Sequence, residues 1–484
     1  MKTNKILSAV VALSISAAMG AQTSFDAAKL YEEELNGTAR YVGMGGAMSA
    51  LGSDPSVISH NPAGIGTYRQ SDINMSLSFF GTTVNTDPAY SPANQGKANG
   101  RSFYSSVNKS DLNMGFDNIS VIFSGYESGG NYLNFGFAYR KLQNLDRTLD
   151  YHDSFLDADG CEVWRDYQDR QQNKTHSFDF NISCNLSDVV YFGVTLGLLS
   201  TRTNTDGFLD DFYAEGMHPD YPDGLYYTSF DMMNSSDGSG FNTSFGFIIR
   251  PFSALRLGAA VKTPTYYKQQ LEYADYLYDY NGESQLNEYG EVEKVTRYVD
   301  YKFTSPWSLN LSAGLTLPTK TALGAEFEKH FTQRSSLSIG NTRMNNQGAI
   351  DFKDYSTVKL GLEQNIGNLS FRLGYNYAGS IFNSDSYKFL DDSEFNRGSY
   401  DENNNYLPGR LDMQIERLSN TRNFTCGLGY CSAPDRDGTQ FYIDLAYVHG
   451  IRHTTFNLNE YKEDVDVNYS TKTDKLLVTF GWNF

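Results

Sequence analysis

Beyond residue 70 the chain is written in twos. Apolar and polar residues alternate in fourteen separate stretches, the mark of strands whose two faces meet different surroundings. Ile73, Met75, Leu77 and Phe79 open the series, with Asn74, Ser76 and Ser78 between them. Phe178, Phe180, Ile182, Cys184 and Leu186 alternate with Asp179, Asn181, Ser183 and Asn185. Leu476, Val478, Phe480, Trp482 and Phe484 close it. A single stretch of this kind reads equally as a strand with one face on a soluble core and the other in water. Fourteen alike, with polar faces rich in Ser, Asn, Thr and Gly, favour apolar faces toward lipid and polar faces toward a lumen.

The connections carry the second half of the argument, because they alternate in length. Long ones run about 81–115, 141–175, 201–240, 269–302, 333–354, 380–421 and 451–473. Short ones lie near Gly125–Gly130, Asp188, Pro251–Ala254, Pro318–Lys320, Gly367–Asn368 and Ala433–Gly438. Tight turns at one end and long loops at the other are the plan of an outer-membrane barrel, and a soluble sandwich has no reason to keep that phase. Ten residues of strand at roughly 3.3 Å each, tilted about 45°, span about 23 Å, close to the apolar band such barrels present. The expectation is an all-β membrane protein, a monomeric 14-stranded antiparallel outer-membrane β-barrel whose last strand, ending at Phe484, serves as the signal for the barrel assembly machinery.

One stretch breaks the pattern. Gly37 to Gly66 is dense in Gly and Ala, poor in charge, and ends in Asn61-Pro62-Ala63-Gly64. It has few large side chains from which to build a core, so it reads as a plug packed inside walls supplied by the strands. Ahead of it, Lys2 and Lys5, the apolar run Ile6 to Met19 and the small residues Ala18, Gly20 and Ala21 follow the order of a secretory signal peptide. The domain reading is therefore a signal peptide over 1–20, a plug over 21–70 and a barrel with long outer loops over 71–484.

Composition adjusts this picture only at the edges. Tyr (35) and Phe (32) are abundant, and the formal charge of −18 argues against nucleic acid as a partner. A mean hydropathy of −0.47 leaves a barrel open, since only alternate strand residues meet lipid. The four cysteines form no CxxC pair, and no disulfide, metal or other cofactor is assigned to the chain. The seven histidines show no nucleophile–base spacing, so no enzymatic activity is expected. Inward carboxylates and bases such as Asp179, Glu326, Glu328, Lys359, Glu363 and Arg372 read as a paired lumen wall.

Three segments resemble the FadL/TodX-type outer-membrane transporters of long-chain fatty acids and hydrocarbons. They are Gly43-Met44-Gly45-Gly46-Ala47 with Asp54-Pro55 and Asn61-Pro62-Ala63-Gly64, then Leu255 to Pro264, then Ser305 to Gly314. With the strand count, the resemblance covers the whole chain after the signal peptide. It implies a plugged barrel that takes a hydrophobic or amphipathic small molecule into a pocket above the plug. A shift of the plug N-terminus, which implicates Phe25, then releases it sideways into the membrane lipids through a kink in the third strand. The turn Asn61, Pro62, Ala63 and Gly64 would meet that kink, on strand three at Asn131 to Arg140.

The long outer loops depart from the family's better-known members. Phe208, Phe212, Tyr213, Tyr226 and Tyr227 in one loop and Tyr266 and Tyr267 in the next are candidate walls of a groove for a hydrophobic ligand. The plainer reading is loop-on-loop packing or placement at the membrane–water boundary. Tyr in place of aliphatic residues leaves a steroid, an aromatic compound or a porphyrin beside a fatty acid as substrate. Two other functions stay open on the sequence: a porin-like passive channel for small polar solutes, and a surface receptor or adhesin displayed on a barrel.

Overall fold

The alternation becomes two opposed surfaces, and their polarity is inverted relative to a soluble protein. Phe178, Phe180 and Ile182 are 50%, 44% and 56% exposed, while Asp179, Asn181 and Ser183 between them are at most 2% exposed. The apolar belt faces outward and the polar residues face in, as lipid outside and a filled lumen inside require. The computed structural model describes residue 30 and residues 34–87, 102–104, 106–109, 112–156, 162–213, 225–276, 294–339, 342–344, 352–382, 399–400, 406–407, 415–459 and 464–484. The expected signal peptide, Phe25 and Cys161 lie outside the described residues.

Fourteen antiparallel staves close into a barrel. They are β1 Asp72–Asp87, β2 Asn113–Ser128, β3 Asn131–Leu156, β4 Glu162–Leu186, β5 Val190–Tyr213 and β6 Leu225–Phe252, then β7 in two parts, Leu255–Lys262 and Tyr266–Tyr276. β8 is also in two parts, Lys294–Thr304 and Ser308–Thr316, and β9 is Thr321–His330 continued by Ser336–Ile339. β10 is Tyr355–Ile366, β11 Leu369–Gly379, β12 Ile415–Cys431, β13 Gln440–Asn459 and β14 Asp464–Asn483. Each stave pairs with its neighbour in sequence, and β14 returns to β1 from Asp72↔Asn483 through Asp87↔Asn468. The turns are tight: Gly129 and Gly130 join β2 to β3 with φ of 62° and 81°, which matches the twist of a two-residue hairpin.

The staves run well past the apolar belt, and this corrects the loop assignments. Residues 141–175 and 201–240, read from sequence as loops, are largely strand: β3 and β4 stay paired from Tyr132↔Asn185 to Leu156↔Glu162, and β5 and β6 to Tyr213↔Leu225. Above the membrane both faces of a strand meet polar surroundings, so the backbone ladder continues without an apolar alternation to betray it. β7, β8 and β9 break side by side, at 263–265, 305–307 and 331–335. Pro264 and Pro306 lack the N–H a ladder needs. Across the first two breaks the inward residues change parity, from Ala260 to Tyr267 in β7 and from Ser308 to Phe303 in β8.

Residues 34–70 lie inside the wall. They form a short helix, α1 (Ala39–Gly43), and two single-turn 3-10 segments, Pro55–Ser59 and Pro62–Thr67, whose N-caps Thr38, Asp54 and Asn61 each accept a backbone N–H. The segment walks round the barrel against the order of the staves. Ala39 N–H donates to Thr479 Oγ1 of β14 at 2.7 Å, and Thr425 of β12 donates to Gly43 O at 3.1 Å. Ser49 N–H donates to Glu326 of β9, and Arg256 of β7 donates to Leu51 O. Thr195 of β5 donates to Ile58 O at 2.6 Å, Asn181 of β4 to Pro62 O and Asn134 of β3 to Ile65 O at 2.9 Å.

Glycine lets the two backbones touch. Each stave from β5 to β12 places one glycine against the inner segment: Gly193, Gly246, Gly258, Gly314, Gly324, Gly361, Gly374 and Gly427. A Cβ at any of them would lie within 3.4 Å of an atom of residues 43–62. Gly314, Gly324, Gly361 and Gly374 are direct partners across β8 to β11. Replacing Gly361 or Gly374 by Val is expected to lower stability by about 1–3 kcal/mol through overpacking. Gly81→Val, where a Cβ meets open space, is expected to be neutral. The temperature at which each purified barrel loses its compact gel mobility checks this.

Candidate functional site

On the loop side of α1 the lumen opens into a cavity of about 170 Å³. Its floor is Tyr41 and His60 of the inner segment with Lys359 and Asn376, and its walls rise through Glu328, His330 and Tyr355 on one side and Phe80, Val448 and Lys475 on the other. The floor is ion-paired. Lys359 Nζ lies 2.6 Å from Glu326 Oε1 and 3.4 Å from Glu328 Oε2, and all three are buried. His60 stacks on Tyr41 with ring centroids 5.7 Å apart, and His330 stacks on Tyr355 at 4.3 Å. Burial pushes the Tyr41 hydroxyl above the ordinary phenol range, leaving it a neutral donor.

His60, Glu326 and Glu328 each bring one potential ligand atom within 4.8 Å of the others. The Lys359 ammonium already sits between the two carboxylates and supplies the positive charge a metal would bring. Beneath this layer, Arg40 of α1 binds Glu363 at 2.9 Å, and Arg372 bridges Glu363 and Asp444 at 2.6 Å each. Burial alone would lower the Arg40 guanidinium, but the adjoining Glu363 carboxylate holds it above its usual value. At the far wall Lys141 and Lys475 both lie 3.7 Å from the buried Asp117, and Lys475 also reaches Asn36 Oδ1.

Above the cavity β7 and β8 bring aromatic and aliphatic side chains to the inner surface, beside polar Gln269, Ser236 and Thr201. The shift of phase at the breaks in β7 and β8 aims Tyr267, Leu271, Tyr301 and Phe303 inward, each at most 5% exposed. Tyr267 stacks on Phe303 with centroids 6.1 Å apart, and its hydroxyl donates to Leu30 O at 3.2 Å. The N-terminal segment thus lies against an aromatic lining that leads down to the polar floor.

The candidate residues from the sequence divide. Asn61, Pro62, Ala63 and Gly64 are buried and form one turn; Asn61 Oδ1 accepts from Ala63 N–H, and its Nδ2 reaches Phe247 O of β6. That turn packs on β4 to β7, through Asn181, Gly193, Gly246 and Gly258. Strand three, its expected partner, instead meets the turn's far end, where Asn134 donates to Ile65 O and Tyr68 O. β3 does carry a register shift, between Lys141 and Gln143, on the loop side of this contact.

Tyr266 and Tyr267 do not line one groove. Tyr266 is 48% exposed on the outer wall, stacked on Phe241 at 5.2 Å, while Tyr267 points inward. Phe208 is half-buried in the extended part of β5, and Phe212↔Tyr226 and Tyr213↔Leu225 are rungs at its far end, with Tyr227 at a register shift. Arg140 is taken up by Asp179 at 2.6 Å, and Arg256 by Leu51 O, whereas Lys262 lines the cavity. Tyr301 and Phe303 had no signal of their own in the sequence, because their inward direction depends on the break at 305–307.

No protein-family model matches the chain, and no curated protein does either. Solved structures match along nearly its whole length. A Pseudomonas aeruginosa FadL homologue superposes with a TM-score of 0.59 at 13% identity, covering 93% of this chain and 99% of that one. The Pseudomonas putida toluene transporter TodX does so at 0.50 and 13%, covering 93% and 98%. A TodX deltaS2S3 mutant, a monoaromatic hydrocarbon channel, matches at 0.51 and 14%, covering 93% and 100%. At such identities the likeness establishes the fold: the chain has that of the FadL-type outer-membrane barrels.

Lys359→Met is expected to destabilise the barrel by about 3–5 kcal/mol, because it strands two buried carboxylates. Adding Glu326→Gln and Glu328→Gln is expected to recover most of that loss. Thermal unfolding of the three purified proteins is the measurement.

Proposed function

We propose that this protein carries hydrophobic or amphipathic small molecules across a bacterial outer membrane, as a plugged barrel rather than an open pore. The observation that carries the reading is the graded lumen: the aromatic lining of Tyr267, Tyr301 and Phe303 stands above a hydrogen-bonding, ion-paired floor at Tyr41, His60 and Lys359. An apolar chain or ring would settle against the first and a polar head against the second. A long-chain fatty acid has that form, and so do an aromatic acid and a steroid. The fold's solved neighbours support hydrophobic cargo, since theirs are named as toluene and monoaromatic hydrocarbons.

Release follows the same logic. Returning an alkyl chain to water costs roughly 0.8 kcal/mol per CH₂, so a sideways exit into lipid is favoured over a straight aqueous path. The Asn61-Pro62-Ala63-Gly64 turn, wedged on β4 to β7, is the proposed gate, and Phe25, outside the described residues, is the proposed N-terminal element whose shift would release the cargo. The charged floor also supports a second reading, a channel for small polar solutes.

Native mass spectrometry of gently extracted protein separates the two. The expected result is a copurifying amphiphile whose occupancy falls about tenfold in Tyr267→Ala/Phe303→Ala, which removes buried aromatic surface, with little steady conductance in a bilayer. An empty barrel with high conductance would establish the polar channel instead.

A further inference from the structure

The outward face of β11 to β14 and β1 is built in rows of ladder partners, and their chemistry changes abruptly. Leu373, Cys426, Tyr447, Leu476 and Phe79 are partners in one row, above an apolar row of Phe371, Leu428, Leu445, Val478 and Leu77. Four residues further toward the loop end the row is Tyr377, Arg422, Ile451, Lys472 and Thr83. Arg422 and Lys472 are exposed, and their sequence neighbours Thr421, Asn423, Thr471 and Thr473 line the cavity, so both cations point away from the lumen; half-buried Ile451 is their ladder partner on β13.

Arg422 and Lys472 flank Ile451 on adjacent staves, about 10 Å apart at the backbone. His453, next outward on β13, is exposed above them. Among the described residues neither Arg422 nor Lys472 has a salt-bridge partner. Asp474, a row below, is held by Tyr447 Oη at 2.6 Å and His449 Nδ1 at 2.8 Å and feels the Lys472 charge without a salt bridge to it. The contrast lies on β5, where outward Arg202 is ion-paired to Asp237 at 2.6 Å.

Height identifies the occupant. From the Trp482 row to the Lys472 row is ten residues of β14, which at about 3.3 Å each and a tilt of about 45° rises about 23 Å. That is the thickness of the apolar band, so Lys472 stands at the headgroup level of the outer leaflet, on the same stave as lipid-facing Leu476. Two unpaired cations around an apolar residue, above an apolar wall, match a phosphorylated lipid whose acyl chains lie along the wall.

We propose that Arg422, Lys472 and His453 form a binding site for the phosphate group of an outer-leaflet glycolipid. The proposal rests on the outer-membrane placement above. The test is native mass spectrometry of the detergent-purified full chain titrated with bisphosphorylated lipid A and, separately, with the same glycolipid lacking phosphate.

The wild-type protein is expected to retain lipid A about tenfold better than the phosphate-free lipid. Arg422→Ser/Lys472→Ser is expected to lose that preference, and Arg202→Ser to keep it. Compact gel mobility confirms that each variant is folded. Equal retention of the two lipids by the wild type, or an unchanged preference in the double variant, would overturn the proposal. Neither outcome touches the transport reading, which is judged by the cargo inside the barrel.

Discussion

A backbone placed in the lumen of a membrane barrel has no bulk water to satisfy it, and that constraint organises the molecule. Residues 37–67 contain little regular structure, so their N–H and C=O groups must find partners elsewhere. The wall supplies them stave by stave: Thr479, Thr425, Glu326, Arg256, Thr195, Asn181 and Asn134 each meet a different main-chain atom. The inward faces are therefore polar as an address for one particular guest, beyond a general tolerance of water. The glycine row Gly314, Gly324, Gly361 and Gly374 answers the same need, since only a bare backbone allows those hydrogen-bonding groups to approach so closely.

Much of this was legible before any coordinates. The period-two pattern located all fourteen staves because lipid on one side and lumen on the other force it. The odd composition of Gly37 to Gly66 marked the guest, and the inward set Asp179, Glu326, Lys359, Glu363 and Arg372 is paired as expected. What was not legible follows from the same physics. Alternation vanishes where both faces of a hairpin meet polar surroundings, so the pattern of β3 to β6 stops short of their ends, which read as loops. Tyr266 and Tyr267 are consecutive in one strand and so face opposite sides, and the phase shift at the breaks decides that Tyr267, Tyr301 and Phe303 are the inward ones. The partner of the Asn61 turn is a matter of which arc of the wall the guest has reached by residue 61, and no local pattern encodes that.

The breaks at 263–265, 305–307 and 331–335 deserve to be seen as one device. They lie on three adjacent staves, level with the cavity, and two contain proline. Below them the inner wall is Ala260, Ser308 and Glu328; above them it is Tyr267 and Phe303. A regular ladder would have kept one parity throughout, turning Tyr267, Tyr301 and Phe303 outward and Tyr266 inward. Irregularity here converts the same residue alternation into two different linings, one suited to holding the guest and one to receiving something apolar.

The distribution of contacts also decides which part of the guest can move. Between Ala39 and Ile65 the segment is fastened to β3, β4, β5, β6, β7, β9, β10, β11, β12 and β14 by direct hydrogen bonds or ion pairs. At about 0.5–1.5 kcal/mol net for each, and more for Arg40 on Glu363, lifting the whole segment would cost on the order of 10 kcal/mol. Ahead of Thr38 the described ties are few: Glu34 N–H to Leu142 O, Asn36 to Lys475, and Leu30 O to Tyr267. Those ties sit at the cavity, on the side the cargo would reach first. A cargo that replaced Leu30 against Tyr267 would free the N-terminal piece at small cost and leave the ring of glycine contacts intact. On the proposed transport reading, the barrel would give up only the least fastened part of its guest.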